Sequence, residues 1–273
     1  MTIRDSLNDY SWDEISKIGK EIARAGGGQA SINIAKTYNL VGSDGKLDGT
    51  QSKHITLSNG TETAVQIVGF AHDVDSSGQP IGITFAFADS ITKMPWNDWN
   101  STSGGWANSV LRQWMNGGLL KLVPDDLSKS IVPAKKRTNS VSYSDSTSTV
   151  HASTDKMWVP SFVEIVGLID MGSYERAYEA IPSDQKAKFQ GYIDIWNDEG
   201  WQYQLFSDTG AGMAKRAPIL TRHDAKSGSA VAWWGRSIAA HDKVLHVDEA
   251  GQPHKSSLSA NAYIGLVPFF CVG

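Results

Sequence analysis

Between Ser11 and Tyr38 the apolar positions recur at helical spacing. Ser11 can cap a helix, Glu14 three residues on completes a capping box, and Ile15, Ile18, Ile22 and Ala23 then share one face. Gly26-Gly27-Gly28 ends this helix, a second is predicted over Ala30–Tyr38, and Gly42, Asp44-Gly45 and Asp48-Gly49 make a turn-rich linker. From His54 the period shortens. Ile55 and Leu57, then Ala64, Val65, Ile67 and Val68, predict a hairpin across Ser58-Asn59-Gly60-Thr61, and Ile81–Phe87 a third strand. Helical spacing returns at Val110, Leu111, Trp114 and Met115, with Arg112, Gln113 and Asn116 expected to face outward. A second helix is predicted over Leu119–Ile131, a strand over Val132–Lys136, and a polar loop over Asn139–Thr154. Tyr174–Glu199 reads as a helical insertion, and Gln202–Phe206 and Ala217–Thr221 as strands.

The C-terminal stretch has two apolar walls. Trp233, Trp234 and Arg236 mark one; Tyr263, Ile264, Leu266, Val267, Phe269 and Phe270 mark the other. Between them, Ile238–Ala262 mixes charged and polar types. This reads as a rigid scaffold presenting loops, the usual arrangement of a binding module. Of Trp233 and Trp234, neighbours on one strand, one is expected in the core and one toward a ligand. The chain divides into an N-terminal helical segment and linker, residues 1–50, and a main domain, residues 51–273, with the insertion near 172–200.

Composition narrows the function. The net charge is -4 and Lys135-Lys136-Arg137, the longest basic cluster, reads as a solvated face, so a nucleic-acid partner is not expected. Cys271 is the only cysteine, which rules out an intrachain disulfide. No apolar run reaches spanning length and no signal peptide opens the chain, so a soluble protein without membrane insertion is expected, at a virion or cell surface only by a non-classical route. No nucleophile elbow, phosphate loop or His-Glu-x-x-His pattern occurs. His241, His246 and His254, with Asp242 or Asp248, match no standard metal spacing, and neither metal nor cofactor is expected.

Trp233-Trp234-Gly235-Arg236-Ser237, followed by Gly265-Leu266-Val267-Pro268-Phe269-Phe270-Cys271, resembles a family of bacterial and prophage domains. Gly104-Gly105-Trp106, Val110–Asn116, Leu122–Leu127 and Asp155–Trp158 extend the likeness over roughly residues 55–273. That family is similar to the C-type-lectin-like fold, in the branch of formylglycine-generating enzymes and the variable proteins of diversity-generating retroelements. The resemblance implies an α+β domain with an antiparallel sheet and two flanking helices. It does not carry the formylglycine-generating activity, which needs a cysteine pair. Trp-Asn-Asp, the triplet that binds calcium in sugar-binding lectins, occurs at Trp96-Asn97-Asp98 and Trp196-Asn197-Asp198 without the companion triplet.

The expectation is therefore a non-enzymatic protein that binds a cell-surface protein or glycan, a reading compatible with an oligomer. The expected contacts are Arg222, His223, Asp224, Lys226, Trp234, Ile238, His241, Asp242, Lys243, His246, His254 and Lys255, with Trp233, Arg236, Tyr263 and Pro268 as scaffold. Arg236 is expected to be buried and bonded to backbone carbonyls at the loop base. The alternatives are a polysaccharide or peptidoglycan hydrolase using paired acids among Asp224, Asp242, Asp248 and Glu249, and a structural component that self-assembles through the N-terminal helices.

Overall fold

The computed structural model describes residues 2–140 and 150–273, with the backbone alone for residues 254–257. The chain opens with α1 (Trp12–Arg24) and α2 (Gly28–Thr37), followed by β1 (Ser52–Thr56), β2 (Glu62–Phe70), β3 (Ile83–Phe87) and β4 (Lys93–Met94). Next come α3 (Gly105–Asn108), α4 (Val110–Gly117), α5 (Asp125–Ser130), β5 (Ile131–Val132), β6 (Ala134–Asn139) and β7 (Val150–Asp155). Helices α6 (Phe162–Val166), α7 (Met171–Ala177), α8 (Lys186–Asn197) and α9 (Gln204–Asp208) follow. The chain ends in β8 (Arg222–His223), β9 (Ala230–Val231), β10 (Trp233–Ala240), β11 (Lys243–Val247), β12 (Pro253–Ser259), β13 (Ile264–Gly265) and β14 (Phe269–Val272).

Among the described residues these strands form two five-stranded sheets, in the orders β1-β2-β3-β14-β5 and β12-β11-β10-β13-β4. The first is antiparallel throughout; the second is antiparallel except where β13 runs parallel to β10. The fold is thus mixed α+β. The last strand lies inside the first sheet, between β3 and β5. Its alternating side chains serve two layers. Phe270 faces α1, stacking on Phe85 at 5.4 Å beneath the edge of Trp12. Phe269 faces the other way, toward Tyr203 at 5.4 Å and Phe206 of α9.

Helix α1 starts where its sequence says it should. The Ser11 hydroxyl accepts from the Glu14 N–H, and Glu14 accepts from the Ser11 N–H. Trp12, Ile15, Ile18 and Ile22 are buried in the common core, so the helix spends its apolar face inside this molecule. It approaches the sheet backbone to backbone: a Cβ on Gly82 would lie 2.1 Å from the Gly19 carbonyl oxygen, and one on Gly19 would lie 2.8 Å from the Val272 carbonyl oxygen. The predicted hairpin is present, with Gly60 at φ +81 in its turn.

Other segments differ from the sequence reading. Leu119–Ile131 is two short pieces, a 3-10 turn at Leu119–Lys121 and α5, because Pro124 stands at the α5 N-cap. Tyr174–Glu199 divides into α7 and α8, with Pro182 between them. Gln202–Phe206 contains the start of α9, and Pro218 forces a 3-10 turn where Ala217–Thr221 was expected to extend. The polar stretch Asn139–Thr154 ends in β7, paired with β6; its residues 141–149 lie outside the described residues. Arg112 and Asn116 are half-buried, with their polar groups turned to the protein. Arg112 pairs with buried Asp155, and Asn116 clamps the backbone of Lys156 and Met157. Ile238–Ala262 is largely a meander of β10, β11 and β12, with Ile238, Val244, Leu245 and Val247 buried.

The α1 contact is testable. Gly82→Ala should lower the unfolding free energy in urea by about 1–3 kcal/mol, the usual cost of forcing an extra group into a close contact. An unchanged denaturation midpoint would mean that α1 is not seated on the sheet as described.

Candidate functional site

Two places in the molecule concentrate chemistry. The first is a buried charge cluster centred on Arg236 of β10, which is wholly buried. Its guanidinium grips the Glu164 carboxylate with two donors, at 2.5 and 2.9 Å. It also donates to the Val159, Arg137 and Glu199 carbonyls and to the Thr138 hydroxyl. The expectation that Arg236 is buried and ties backbone carbonyls holds; its carboxylate partner was not foreseen. Glu164 is set in place by α6, where it forms the capping box with Ser161.

Lys136 bridges outward from Glu164. Its ammonium lies 2.6 Å from Glu164 and 2.6 Å from Asp73, and 4.8 Å from the centre of the Trp158 ring. Reading it as part of a solvated basic face was wrong: Lys136 is 3% exposed, while its neighbours Lys135 and Arg137 are exposed, because alternate residues of β6 face opposite sides. Asp73 also accepts from Thr84 at 2.7 Å and from the Tyr203 hydroxyl at 3.3 Å. Glu199 completes the cluster, accepting from the Asn139 N–H and from the Ser237 hydroxyl.

Burial alone would raise each of these carboxyl groups, but their surroundings divide them. Lys136, with His72, outweighs burial at Asp73 and holds it below the usual carboxylate range. Arg236 and Lys136 do the same for Glu164. Glu199 has no such cation to itself; burial dominates, Arg236 opposes it only in part, and its pKa is pushed up to about 7. At Arg236, burial is outweighed by Glu164, and its pKa is raised.

The second place is a face built from three connections. The β10–β11 turn carries His241 and Asp242, with Lys243 at the start of β11. Thr102 fastens this turn by donating to the His241 and Ala240 carbonyls at 2.7 and 2.9 Å. Asn100 donates to the Asp242 carboxylate at 3.2 Å. The β12–β13 connection joins through Ala260, which donates to the Asp242 carbonyl and accepts from the Asn97 N–H, both at 2.9 Å. Buried Asn97 and Trp96 anchor the loop from beneath. On this stitched base Trp99 is 55% exposed and Tyr263 72% exposed. Beside it a cleft of about 600 Å³ opens, lined among the described residues by Ser103–Asn108, Thr138–Ser140 and His151–Ser153.

The expected contact residues scatter between core and surface. Trp234 and Ile238 are fully buried, Arg222 is 3% exposed and His246 8%; none of these offers surface to a ligand. Both Trp233 and Trp234 are core residues, because β10 is covered on both faces; their indole N–H groups donate to the Leu220 and Met94 carbonyls. Tyr263, expected as scaffold, is exposed. His241, Asp242 and Lys243 meet on the stitched face. His223, Asp224 and Lys226 lie elsewhere, beside Ser90; His223 and Lys226 are exposed, and Asp224 accepts from the N–H groups of its own turn. His254 and Lys255 lie on β12 by backbone, and their side chains are outside the described residues. Trp99, which the sequence reading missed, sits in the tryptophan-rich Pro95–Asn100 loop; of ten tryptophans it and Trp201 are exposed, and nothing periodic in the sequence singles them out.

Among the described residues no group of three or more His, Cys, Asp or Glu side chains is placed to hold a metal ion, and no helix is long and apolar enough to cross a membrane.

Comparison with known sequences finds one family, "Domain of unknown function (DUF6273)", whose model matches residues 82–273, more than two thirds of the chain. No curated protein and no solved structure matches.

Two outcomes follow from the cluster. Arg236→Ala leaves Glu164 buried beside a single cation and should cost about 3–5 kcal/mol of stability. The second concerns pH. Glu199 is raised from its ordinary 4.5 to about 7, so between these values the folded chain holds a proton that the unfolded chain has lost. Stability therefore falls as pH rises through this window, by about 3 kcal/mol for one group. Asp73 and Glu164, being lowered, act oppositely and only below the ordinary carboxylate range. Glu199→Gln should flatten the slope between pH 4.5 and 7 in urea titrations and raise stability at pH 8; an unaltered slope would assign the proton elsewhere.

Proposed function

The chain belongs to the DUF6273 family, and from that premise we propose that it is a non-enzymatic binding protein that recognises a protein partner through the face built by Trp99, His241, Asp242, Lys243 and Tyr263. One observation carries the reading: two large aromatic side chains are held in solvent on loops that hydrogen bonds tie to one another. Exposed Trp and Tyr on a rigid base supply contact area at low entropic cost, and such residues dominate binding energy at protein interfaces. The charged groups beside them give orientation. On this reading the main domain is C-type-lectin-like, a proposal supported by the mixed α+β architecture and by the return of the last strand into the first sheet. The setting proposed is a phage, prophage or bacterial surface, with a receptor on another cell as the partner.

Of the acids considered for hydrolysis, Glu249 is exposed and the other three are engaged locally, which supports the binding reading. Asp224 and Asp248 are each spent on backbone N–H groups of their own turns, and Asp242 is engaged by Asn100 and Lys243.

The test is a binding screen of the purified chain against arrayed bacterial surface proteins, with glycans as the second arm. Trp99→Ala with Tyr263→Ala should weaken the recovered interaction by about thirtyfold or more, the scale of a loss of 2 kcal/mol at a hot spot. Because these side chains are exposed, the melting temperature should hardly move. Binding that survives the double substitution would remove this face from recognition, and binding only to glycans would overturn the choice of a protein partner.

A further inference from the structure

Within the buried cluster, Lys136, Asp73 and Glu164 are placed for a chemistry of their own, and nothing about it rests on the reading above. All three side chains are buried. Lys136 Nζ lies 2.6 Å from Asp73 Oδ1 and 2.6 Å from Glu164 Oε1. The surrounding walls are aromatic: the Trp158 and Tyr203 ring centres are 4.8 and 5.7 Å from the ammonium. An amine and a carboxyl group held together in such a site are the reactants of an amide bond. In bulk water they do not condense, because both are ionised and well solvated. Burial removes that solvation and raises the ion pair relative to its neutral form, amine and carboxylic acid, one proton shift away. Juxtaposition adds an effective concentration of about 10⁵–10⁸ M for well-oriented groups. The Asp73 carboxyl carbon, one bond behind Oδ1, stands at roughly the 3–3.5 Å separation of a near-attack pair.

The two acids beside Lys136 are not equivalent. Both Glu164 oxygens are gripped by Arg236, which holds that group as a resonance-stabilised carboxylate and a poor acyl donor. Asp73 meets no guanidinium among the described residues. Its Oδ2 accepts instead from neutral hydroxyls, Thr84 at 2.7 Å and Tyr203 at 3.3 Å, with His72 Nδ1 at 3.6 Å. Donors so placed stabilise negative charge as it develops on a carbonyl oxygen. A cavity of about 210 Å³, lined in part by Asp73, Lys136 and Glu164, gives a released water a place to go.

We propose that Lys136 and Asp73 condense within the folded chain into an intramolecular amide, with Glu164 as proton carrier. In this structure the pair is ionic, the state before reaction. The Lys136 ammonium passes one proton to Asp73 Oδ1. The amine lone pair attacks Asp73 Cγ, the N–C bond forms, and the carbonyl electron pair moves to Oδ2. Glu164 takes a second proton from Nζ and returns it to Oδ1. The C–Oδ1 bond breaks, water leaves, and the Oδ2 pair restores the carbonyl. No oxidant or outside reagent is consumed. One cation and one anion vanish together, so the cluster's excess of one carboxylate over its cations is unchanged. The bond ties the β2–β3 connection to β6 across 63 positions, in a chain whose single cysteine permits no intrachain disulfide.

The wild-type chain is itself the test. Its mass, taken under denaturing conditions after prolonged incubation of the folded protein near neutral pH, should fall one water short of the sequence. Trypsin should leave the bond after Lys136 uncut and release a branched peptide joining Lys136 to Asp73. The full sequence mass overturns the proposal. So does a lost water that maps elsewhere, to a succinimide at Asp44-Gly45 or Asp48-Gly49, or a link from Lys136 to Glu164. Lys136→Arg keeps a cation but no nucleophilic amine, and should retain the full mass; a water still missing there also overturns it. Glu164→Gln, shown by a thermal melt to be folded, should slow bond formation by about a hundredfold or more, and an unchanged rate overturns the role given to Glu164. Should that variant fail to fold, the wild-type mass and linkage still decide.

Discussion

The Arg236–Glu164 pair is the point on which the rest of the structure closes. Arg236 belongs to β10 in the second sheet, and Glu164 to the short helix α6. Through Lys136 the pair reaches β6, and through Asp73 it reaches the connection between β2 and β3 in the first sheet. The guanidinium also holds three backbone carbonyls. An ion pair in an apolar interior is not in itself a source of stability, because desolvation offsets most of the Coulomb gain. What it supplies is uniqueness of arrangement: any packing that moved one of these elements would strand a buried charge. Two sheets and a set of short helices are thereby fixed to one another where apolar contacts alone would tolerate sliding.

That rigidity explains how the loop face can be ordered although its loops have little core of their own. Strand β10 is gripped at Arg236, and four residues later its last residue, Ala240, and the first residue of the turn, His241, present their carbonyls to Thr102. The 95–103 loop rests on Trp96, which is wholly buried, and is closed by Asn97 bonding to the Ser101 carbonyl at 2.7 Å. Each link is a modest hydrogen bond, worth about 1 kcal/mol net. They act together because both ends of every link are attached to the pinned core. The exposed aromatics can then be presented without an ordering cost at each encounter.

The elements legible in the sequence were those with a strong local period or a strong local cap. Ser11 with Glu14, the Asn59-Gly60 turn and the Val110–Met115 stripe all specify themselves within a few residues. What was not legible came from long-range pairing. Lys136 looks like one of three adjacent surface cations, and only its place on a strand with alternating burial removes it from solvent. Asp73 and Glu199 are 126 positions apart in numbering, and nothing local marks either as buried. The meander over β11 and β12 was obscured for a related reason. His246 and Lys243 interrupt the apolar pattern, yet Val244, Leu245 and Val247 are enough to seat the strand once β10 is present to pair with it. The same tertiary effect turned Trp234 inward: a strand covered on both faces has no ligand side.

The lone thiol follows from the same cluster. Cys271 lies in β14 within reach of Thr84 and Asp73, and burial, reinforced by the Asp73 charge, pushes its pKa well above the ordinary value. The thiolate is the reactive form of cysteine, so this position disfavours both oxidation and metal capture. Small extracellular binding domains commonly fix their loops with disulfides. Here the cross-link between sheets is ionic and its chemistry is indifferent to redox state, since neither Arg236, Lys136 nor their carboxylates exchange electrons. Its sensitivity is to protons instead, and above the ordinary carboxylate range it rests on Glu199, the one acid in the cluster that lacks a cation of its own. The scaffold's response to its surroundings is therefore set by a charge count of three carboxylates to two cations rather than by covalent chemistry.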